Sequence, residues 1–324
     1  MSLEAIRALL KTDLDATNQL ILAELTSNVP LINQLTQYIT SYTGKRIRPL
    51  LVLLSARACS KTVHNHILLA AAIELIHTAT LLHDDVVDNA TLRRGQETAH
   101  SIWGNEASVL VGDFLYSRAF QLIIQLQNLP ILGIFSSATN LIAEGEVMQL
   151  ANCRKPDVTE SAYFDVILRK TAKLFEVATS VGATAAIDSP EYHEAMRTYG
   201  LHLGMAYQLI DDALDYTTPS EQTGKNQCND LSEGKPTLPL IHALSKATLS
   251  EQHILREAII TGKTTETELT TILNIIESTK AIEYTIDAAK KHAKKASEAL
   301  TIIPDSPYRH ALQTLADFVV ERTH

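Results

Sequence analysis

Two acidic clusters constrain this chain more than any other feature. Leu81-Leu82-His83-Asp84-Asp85-Val86-Val87-Asp88 and Leu209-Ile210-Asp211-Asp212-Ala213-Leu214-Asp215 each place a DDxxD pattern in an otherwise apolar, helix-forming segment. At ~100° per residue, Asp84 and Asp88 lie nearly above one another on a helix, and so do Asp211 and Asp215. Carboxylates stacked in this way repel, and apolar flanks that exclude water make the repulsion worse. A cation must compensate. Oxygen-only ligands favour a hard divalent ion, and Mg²⁺ commonly uses one or two carboxylates together with waters and substrate phosphates. A single DDxxD is often only a solvated helix end. Two copies, both entered from apolar residues, favour a metal-assisted diphosphate site.

Composition narrows the alternatives. The chain has 324 residues, is 45% hydrophobic and only 5% aromatic, and carries a net charge of −9. An acidic balance argues against nucleic-acid binding, so an anionic substrate must be held by local cations. Cys59, Cys153 and Cys228 are widely spaced without a metal-ligand pattern, and a reduced cytoplasmic protein is expected. Met1 to Arg7 lacks a signal peptide's apolar core, and no apolar run is expected to reach the ~20 residues needed to span a bilayer.

Prolines fall near the joins of apolar-periodic segments, which predicts helices at 3–26, 31–41, 47–59, 64–88, 105–128, 130–151, 159–187, 190–216, 235–247, 249–262, 266–297 and 306–322. No useful β-alternation occurs, so the expected fold is all-α. Without a linker or low-complexity tract, residues 1–324 are expected to form a single domain. The segment 64–88 is apolar around most of its circumference and should be a buried, central helix. His77 lies seven residues before Asp84, on roughly the same face. A lone histidine there is ordinarily a core residue, but beside a diphosphate site it becomes a candidate phosphate donor.

The cations needed for phosphate follow the same pattern. Gly44-Lys45-Arg46-Ile47-Arg48-Pro49 puts three of them at a helix start, where the helix adds its own positive potential. Arg93 and Arg94 closely follow the first acidic cluster, and arginine's planar fork suits phosphate oxygens. Lys170 and Thr171 interrupt a helix, and Lys225 and Lys235 flank the second cluster. Each alone would be a surface charge. Together they describe two diphosphate pockets, one metal-bound and one held by cations alone.

These stretches, with Gln208 before the second cluster and Gly234-Lys235-Pro236-Thr237-Leu238-Pro239 after it, resemble the trans-polyprenyl diphosphate synthases, and within them the bacterial octaprenyl diphosphate synthase group. The likeness runs from about Gly44 to the C-terminus. It implies an all-helical bundle around a deep central cavity, a homodimer, and Mg²⁺ as cofactor, three ions with substrate bound. By position, Asp84, Asp85, Asp88, Asp211, Asp212 and Asp215 match the metal ligands. Arg93, Lys170, Lys225 and Lys235 match the allylic diphosphate site. Lys45, Arg48, His77 and Arg94 match the isopentenyl diphosphate pocket, while Thr171 and Gln208 fall where polar groups face the developing carbocation. One departure is Cys228, where relatives usually carry glycine, which puts the local loop geometry in question.

The resemblance implies ionisation of an allylic diphosphate, farnesyl diphosphate as primer, followed by attack of isopentenyl diphosphate and loss of a proton to the departing diphosphate. Repetition would give an octaprenyl product for quinone side chains, released at a membrane. A class I terpene cyclase also uses DDxxD but has no need of Lys45, Arg48 and Arg94. A non-catalytic partner subunit could lose the acidic clusters, yet both are intact. Ala79 and Thr80 stand where short-chain relatives place bulky aromatics, so the product should be long, with Ile123 and Phe135 as the expected floor for its tail. Both could equally be ordinary core residues, although Phe135 is the sole aromatic in the segment 130–151.

Overall fold

The structure, a computed structural model, describes residues 1–41, 44–60, 62–93, 95–217 and 228–322. Arg94 and Lys225 therefore lie outside the described residues. Helices dominate: α1 Leu3–Leu9, α2 Lys11–Glu24, α3 Pro30–Ser41, α4 Ile47–Cys59, α5 His66–Val87, α6 Ala99–Trp103, α7 Asn105–Gln125, α8 Leu129–Asn152, α9 Glu160–Ile167, α10 Lys173–Ala186 and α11 Pro190–Thr217. After the second acidic cluster come α12 Asn229–Ser232, α13 Leu238–Lys246, α14 Leu249–Thr261, α15 Glu266–Ser278, α16 Ala281–Ala299 and α17 Pro307–Glu321. The all-α expectation holds, and the departures from it are local.

Several boundaries differ for visible reasons. The segment expected as 3–26 breaks at Leu10, and 266–297 breaks at Thr279 and Lys280, where Lys280 takes a left-handed φ of 56°. Helix α13 begins at Leu238 rather than 235, because Thr237 is extended and acts as its N-cap. Short α6 and α12 were not expected. A hairpin of two-residue strands, β1 Leu92–Arg93 and β2 Gln96–Glu97, pairs Arg93 with Gln96. Gly95 in its turn has φ 76°, a conformation that suits a two-residue hairpin.

The chain folds as two compact units. The first comprises Met1–Ala138, Leu174–Gly200 and Glu298–Leu315. Its core is built on α4 and α5: Leu50 to Leu54, Leu69 to Ile73, Ile76 and Ala79 are essentially inaccessible, as are Leu115, Ile123, Phe135 and Phe175. Helix α5 packs most extensively on α7 and then on α4 and α2. Beneath it, Asp13 accepts two bonds from Arg57, both 2.8 Å, and lies 3.3 Å from His66, tying α2, α4 and α5 together. Tyr199 donates to the Leu312 carbonyl at 2.8 Å and anchors α17.

The second unit comprises Thr139–Lys173, Leu201–Ser297 and Ala316–His324. Its core gathers Tyr216, Leu231, Leu240, Leu255, Ile259, Ile272, Ile275 and Ile276. Capping boxes at Thr248–Glu251 and Thr265–Glu268 start α14 and α15. The boundaries between the units fall inside helices rather than in linkers.

One expectation is corrected. Helices α5 and α7 are each long and apolar enough to cross a membrane by length and composition. About half of each apolar stretch is buried inside the protein, 56% and 44% respectively, and core helices pass the same test.

Close helix contact in the first unit depends on glycine. A Cβ at Gly200 would stand 2.5 Å from the Phe175 carbonyl oxygen and 2.9 Å from Glu176 Cα, and would collide with the Thr179 hydroxyl. Backbone cannot move aside as a flexible side chain can. Gly200→Ala is expected to destabilise the protein by about 1–3 kcal/mol, read as a lower urea midpoint. An unchanged midpoint would show that α10 and α11 can part without loss.

Candidate active site

The first acidic cluster occupies the last turns of α5. Asp85 is 4% exposed, and Arg93 meets the same oxygen twice: Nε donates to Asp85 Oδ1 at 2.8 Å and Nη2 lies 2.7 Å from it. The hairpin places this arginine. Burial works against the Arg93 charge, but the hydrogen bond it donates to Asp85, and then the charges of Asp85, Asp84 and Asp88, raise its pKa above the ordinary value. The guanidinium is thus within electrostatic reach of all three carboxylates.

In the same unit, Arg48 and His77 are brought together, with Arg48 Nη1 3.0 Å from His77 Nε2. The Arg48 guanidinium also lies 4.6 Å from the Phe175 ring centre, a cation–π contact. Arg46 turns the chain into α4 in a left-handed conformation, φ 44°. Lys45 is exposed beside it, and its carbonyl accepts from Arg7 Nη2 at 2.5 Å. Ala79, Ile123 and Phe135 are fully buried, while Thr80 is half-buried and donates to the His77 carbonyl at 2.9 Å.

The second unit holds the other half of the expected residues. The expected break at Lys170 and Thr171 is a π-helical turn, Leu168–Ala172, where Lys173 N–H reaches back five residues to the Leu168 carbonyl. Such bulges recur at functional sites because they free backbone groups and re-aim side chains. Helix α8 can approach only because residue 145 is glycine. A Cβ there would lie 2.7 Å from Lys170 N and 2.8 Å from Arg169 Cβ. Lys170 Nζ lies 2.5 Å from Glu146 Oε2 and 2.6 Å from Gln149 Oε1 on α8.

A hydrogen-bonded chain then runs from the π turn to the second acidic cluster. Thr171 Oγ1 donates to Gln208 Oε1 at 2.9 Å, and Gln208 Nε2 donates to Asp212 Oδ1 at 2.7 Å. Tyr163 donates to Asp212 Oδ2 at 2.5 Å. Asp212 is 2% exposed. Burial, and next the charge of Asp230, push its carboxyl well above the usual range, with the Tyr163 and Gln208 bonds working against that shift.

Asp211 pairs with Arg322 at 2.6 Å, and Asp215 accepts from the backbone amides of Asn229 (3.2 Å) and Asp230 (3.1 Å). Lys235 lies 2.5 Å from Glu233, and its amide donates to the Asp230 carbonyl at 2.8 Å. Cys228 sits at φ 59°, ψ 39°, the left-handed region that glycine occupies at least cost. Its N–H donates to the Asp215 carbonyl at 3.0 Å.

Sequence reasoning missed Tyr163 and Arg322. Neither lies in a motif; each reaches an aspartate of the second cluster from far along the chain, so spacing carried no signal.

The donor set fits Mg²⁺. All six candidate ligands are carboxylates, and among the described residues no three His, Cys, Asp or Glu side chains are gathered into a ready cage. One or two carboxylates of a cluster would leave the remaining positions for water and phosphate, which is how Mg²⁺ is usually held.

A helical chain carrying this doubled motif falls in the isoprenoid synthase class of fold, as its solved neighbours show. The crystal structure of a polyprenyl synthase from Caulobacter crescentus CB15, complexed with calcium and isoprenyl diphosphate, superposes with a TM-score of 0.95 at 42% identity, covering 100% of this chain and 98% of that one. A decaprenyl diphosphate synthase from Rhodobacter capsulatus gives 0.94 at 38% identity, covering 100% of both. In sequence, octaprenyl diphosphate synthase of Escherichia coli K12 is 48% identical over 322 residues, 99% of each chain. That of Haemophilus influenzae is 47% identical over 324 residues, 100% of this chain and 98% of its own. The polyprenyl synthetase family profile matches residues 29–276. The chain belongs to the polyprenyl synthetase family and is a prenyltransferase.

The network around Asp212 yields a direct test. Tyr163→Phe removes a buried donor and leaves a carboxyl oxygen unsatisfied, which should destabilise the protein by about 1–3 kcal/mol in urea unfolding. An unchanged midpoint would mean that Asp212 finds another partner.

Proposed function

We propose that this prenyltransferase adds isopentenyl diphosphate repeatedly, head to tail, to an allylic diphosphate, with farnesyl diphosphate as primer. The product is a long-chain all-trans polyprenyl diphosphate, octaprenyl, destined for quinone side chains. The observation that carries this reading is the full-length likeness to octaprenyl diphosphate synthases in a chain that keeps both Asp-rich clusters.

In this reading Asp84, Asp85, Asp88, Asp211, Asp212 and Asp215 hold three Mg²⁺ ions with the allylic diphosphate, as the calcium complex of the Caulobacter relative supports for divalent metal in general. Bound Mg²⁺ would supply charge neutralisation for the leaving diphosphate. Arg93, Lys170, Lys225 and Lys235 bind that diphosphate. Arg93 would exchange Asp85 for phosphate oxygens, which its planar fork suits. Lys45, Arg48, His77 and Arg94 hold isopentenyl diphosphate and keep its double bond within reach of the allylic carbon. Thr171 uses its hydroxyl hydrogen on Gln208, so its oxygen offers lone pairs to developing positive charge. Gln208 is held in turn by Asp212.

The enzyme acts as a single domain over residues 1–324, as the absence of a sequence linker supports, and as a cytoplasmic homodimer that releases product at a membrane. Exposed Leu110 and Ile124, four turns apart on one side of α7, support self-association. A cyclase would have no use for the Arg48–His77 pair, and a non-catalytic subunit would have no use for both acidic clusters.

Steady-state kinetics separate the two pockets. Lys45→Ala or Arg94→Ala should raise the KM for isopentenyl diphosphate by about tenfold, the scale of a charge-assisted hydrogen bond. Asp84→Ala should lower kcat by at least a hundredfold, on the order seen when one transition-state charge stabiliser is lost. Equal effects of Arg94→Ala on both substrates would count against the assignment.

Product length tests the tail's path. Chromatography of the dephosphorylated product from isopentenyl and farnesyl diphosphates should show an eight-unit chain. Ala79→Tyr should shorten it sharply. Phe135→Ala should lengthen it while lowering stability by about 3–5 kcal/mol. Unchanged length in a folded, active Phe135→Ala enzyme would place the floor elsewhere, and no elongation at all in the native enzyme would overturn the reading.

A further inference from the structure

Arg322 directly follows α17, and its side chain is only 6% exposed. Its Nη2 lies 2.6 Å from Asp211 Oδ1 and donates to the Tyr207 carbonyl at 2.6 Å. The guanidinium also stacks 3.9 Å from the centre of the Tyr207 ring. Tyr207 and Asp211 are one turn apart on α11, so Arg322 clamps across that turn. Its Nε is buried without a hydrogen-bond partner among the described residues. A guanidinium keeps its charge at every accessible pH, and a buried charge needs a counter-ion. Here that counter-ion is Asp211.

The same carboxylate is a metal ligand in the proposed function, and this inference rests on that reading. A divalent ion and a guanidinium on one carboxylate repel each other strongly where water is scarce. We propose that Arg322 is a positioning residue that latches Asp211. It holds the carboxylate until metal arrives together with a diphosphate, and metal alone binds weakly because it must first displace the arginine. Release is feasible because the last turn of a helix opens with least loss. There, the backbone tie of Arg322 is its N–H to the Phe318 carbonyl, 3.1 Å. The latch therefore couples metal binding to substrate: the diphosphate adds the coordination and negative charge that make displacement favourable.

Calorimetric titration with Mg²⁺ alone, and with Mg²⁺ plus inorganic pyrophosphate, tests the idea on the full chain. Arg322→Gln should tighten binding of Mg²⁺ alone by about tenfold, the scale of one charge-assisted bond. Arg322→Lys should stay near the native value, and the gain from Arg322→Gln should vanish in an Asp211→Asn background. Native protein provides a readout that needs no variant to fold. Adding Mg²⁺ and pyrophosphate should speed amide exchange at Arg322 and the turn before it while the rest of the chain slows. Equal Mg²⁺ affinity in the native and Arg322→Gln proteins, or C-terminal protection that holds or rises on adding both ligands, would overturn the latch alone. No heat and no melting shift in native protein with Mg²⁺ plus pyrophosphate would overturn the metal–diphosphate reading, and the latch with it.

Discussion

Everything distinctive in this structure follows from placing carboxylates on helices that are otherwise built for a core. Carboxylates there must be neutralised or hydrogen-bonded, since an uncompensated buried charge costs several kcal/mol, on the order of a protein's whole stability margin. The protein meets the demand residue by residue. Arg93 covers Asp85, Arg322 covers Asp211, Tyr163 and Gln208 cover Asp212, and two backbone amides cover Asp215. Gln208 reaches Asp212 from one turn away on the same helix, whereas Tyr163, Arg322 and the amides of Asn229 and Asp230 come from other elements, so much of the structure around the second cluster serves to deliver them.

The delivery devices are small irregularities in long helices. A two-residue hairpin after α5 brings Arg93 back to Asp85. A π turn at Leu168–Ala172 carries Lys170 toward Glu146 and Gln149 and Thr171 toward Gln208, and Gly145 lets α8 pass close enough for that. A left-handed residue at Cys228 turns the chain so that Asn229 and Asp230 amides meet Asp215. The conformation survives without glycine, at a strain of roughly 1 kcal/mol, and buried Cys228 packs against Tyr216 and Leu231 in return. Burial also pushes the Cys228 thiol up to about 12, with Asp215 and Asp230 adding to the effect, so it stays a neutral core group.

The latch at Arg322 and the pair at Arg93 share one logic. In each case an arginine stands on a carboxylate that the proposed chemistry needs for metal. An enzyme that must avoid binding metal unproductively gains from such internal competition, because a ligand bringing its own negative charge can then decide when the site assembles.

Periodicity and motif spacing alone determined that the chain is helical, that α5 is a buried central helix, and that acidic clusters stand at its end and late in α11. They also placed a disruption at Lys170 and Thr171. These properties are local: a buried helix face shows in the apolar pattern, and a ligand pair one turn apart shows in the i, i+4 spacing. Tertiary structure decided what each carboxylate touches. Tyr163 lies 49 residues from Asp212 and Arg322 more than a hundred from Asp211, separations at which no pattern in a single sequence reports contact. It also decided where long periodic stretches break. Leu10 and Lys280 sit in runs that read as continuous helix, and packing outweighs the few tenths of a kcal/mol per residue that helix propensity contributes.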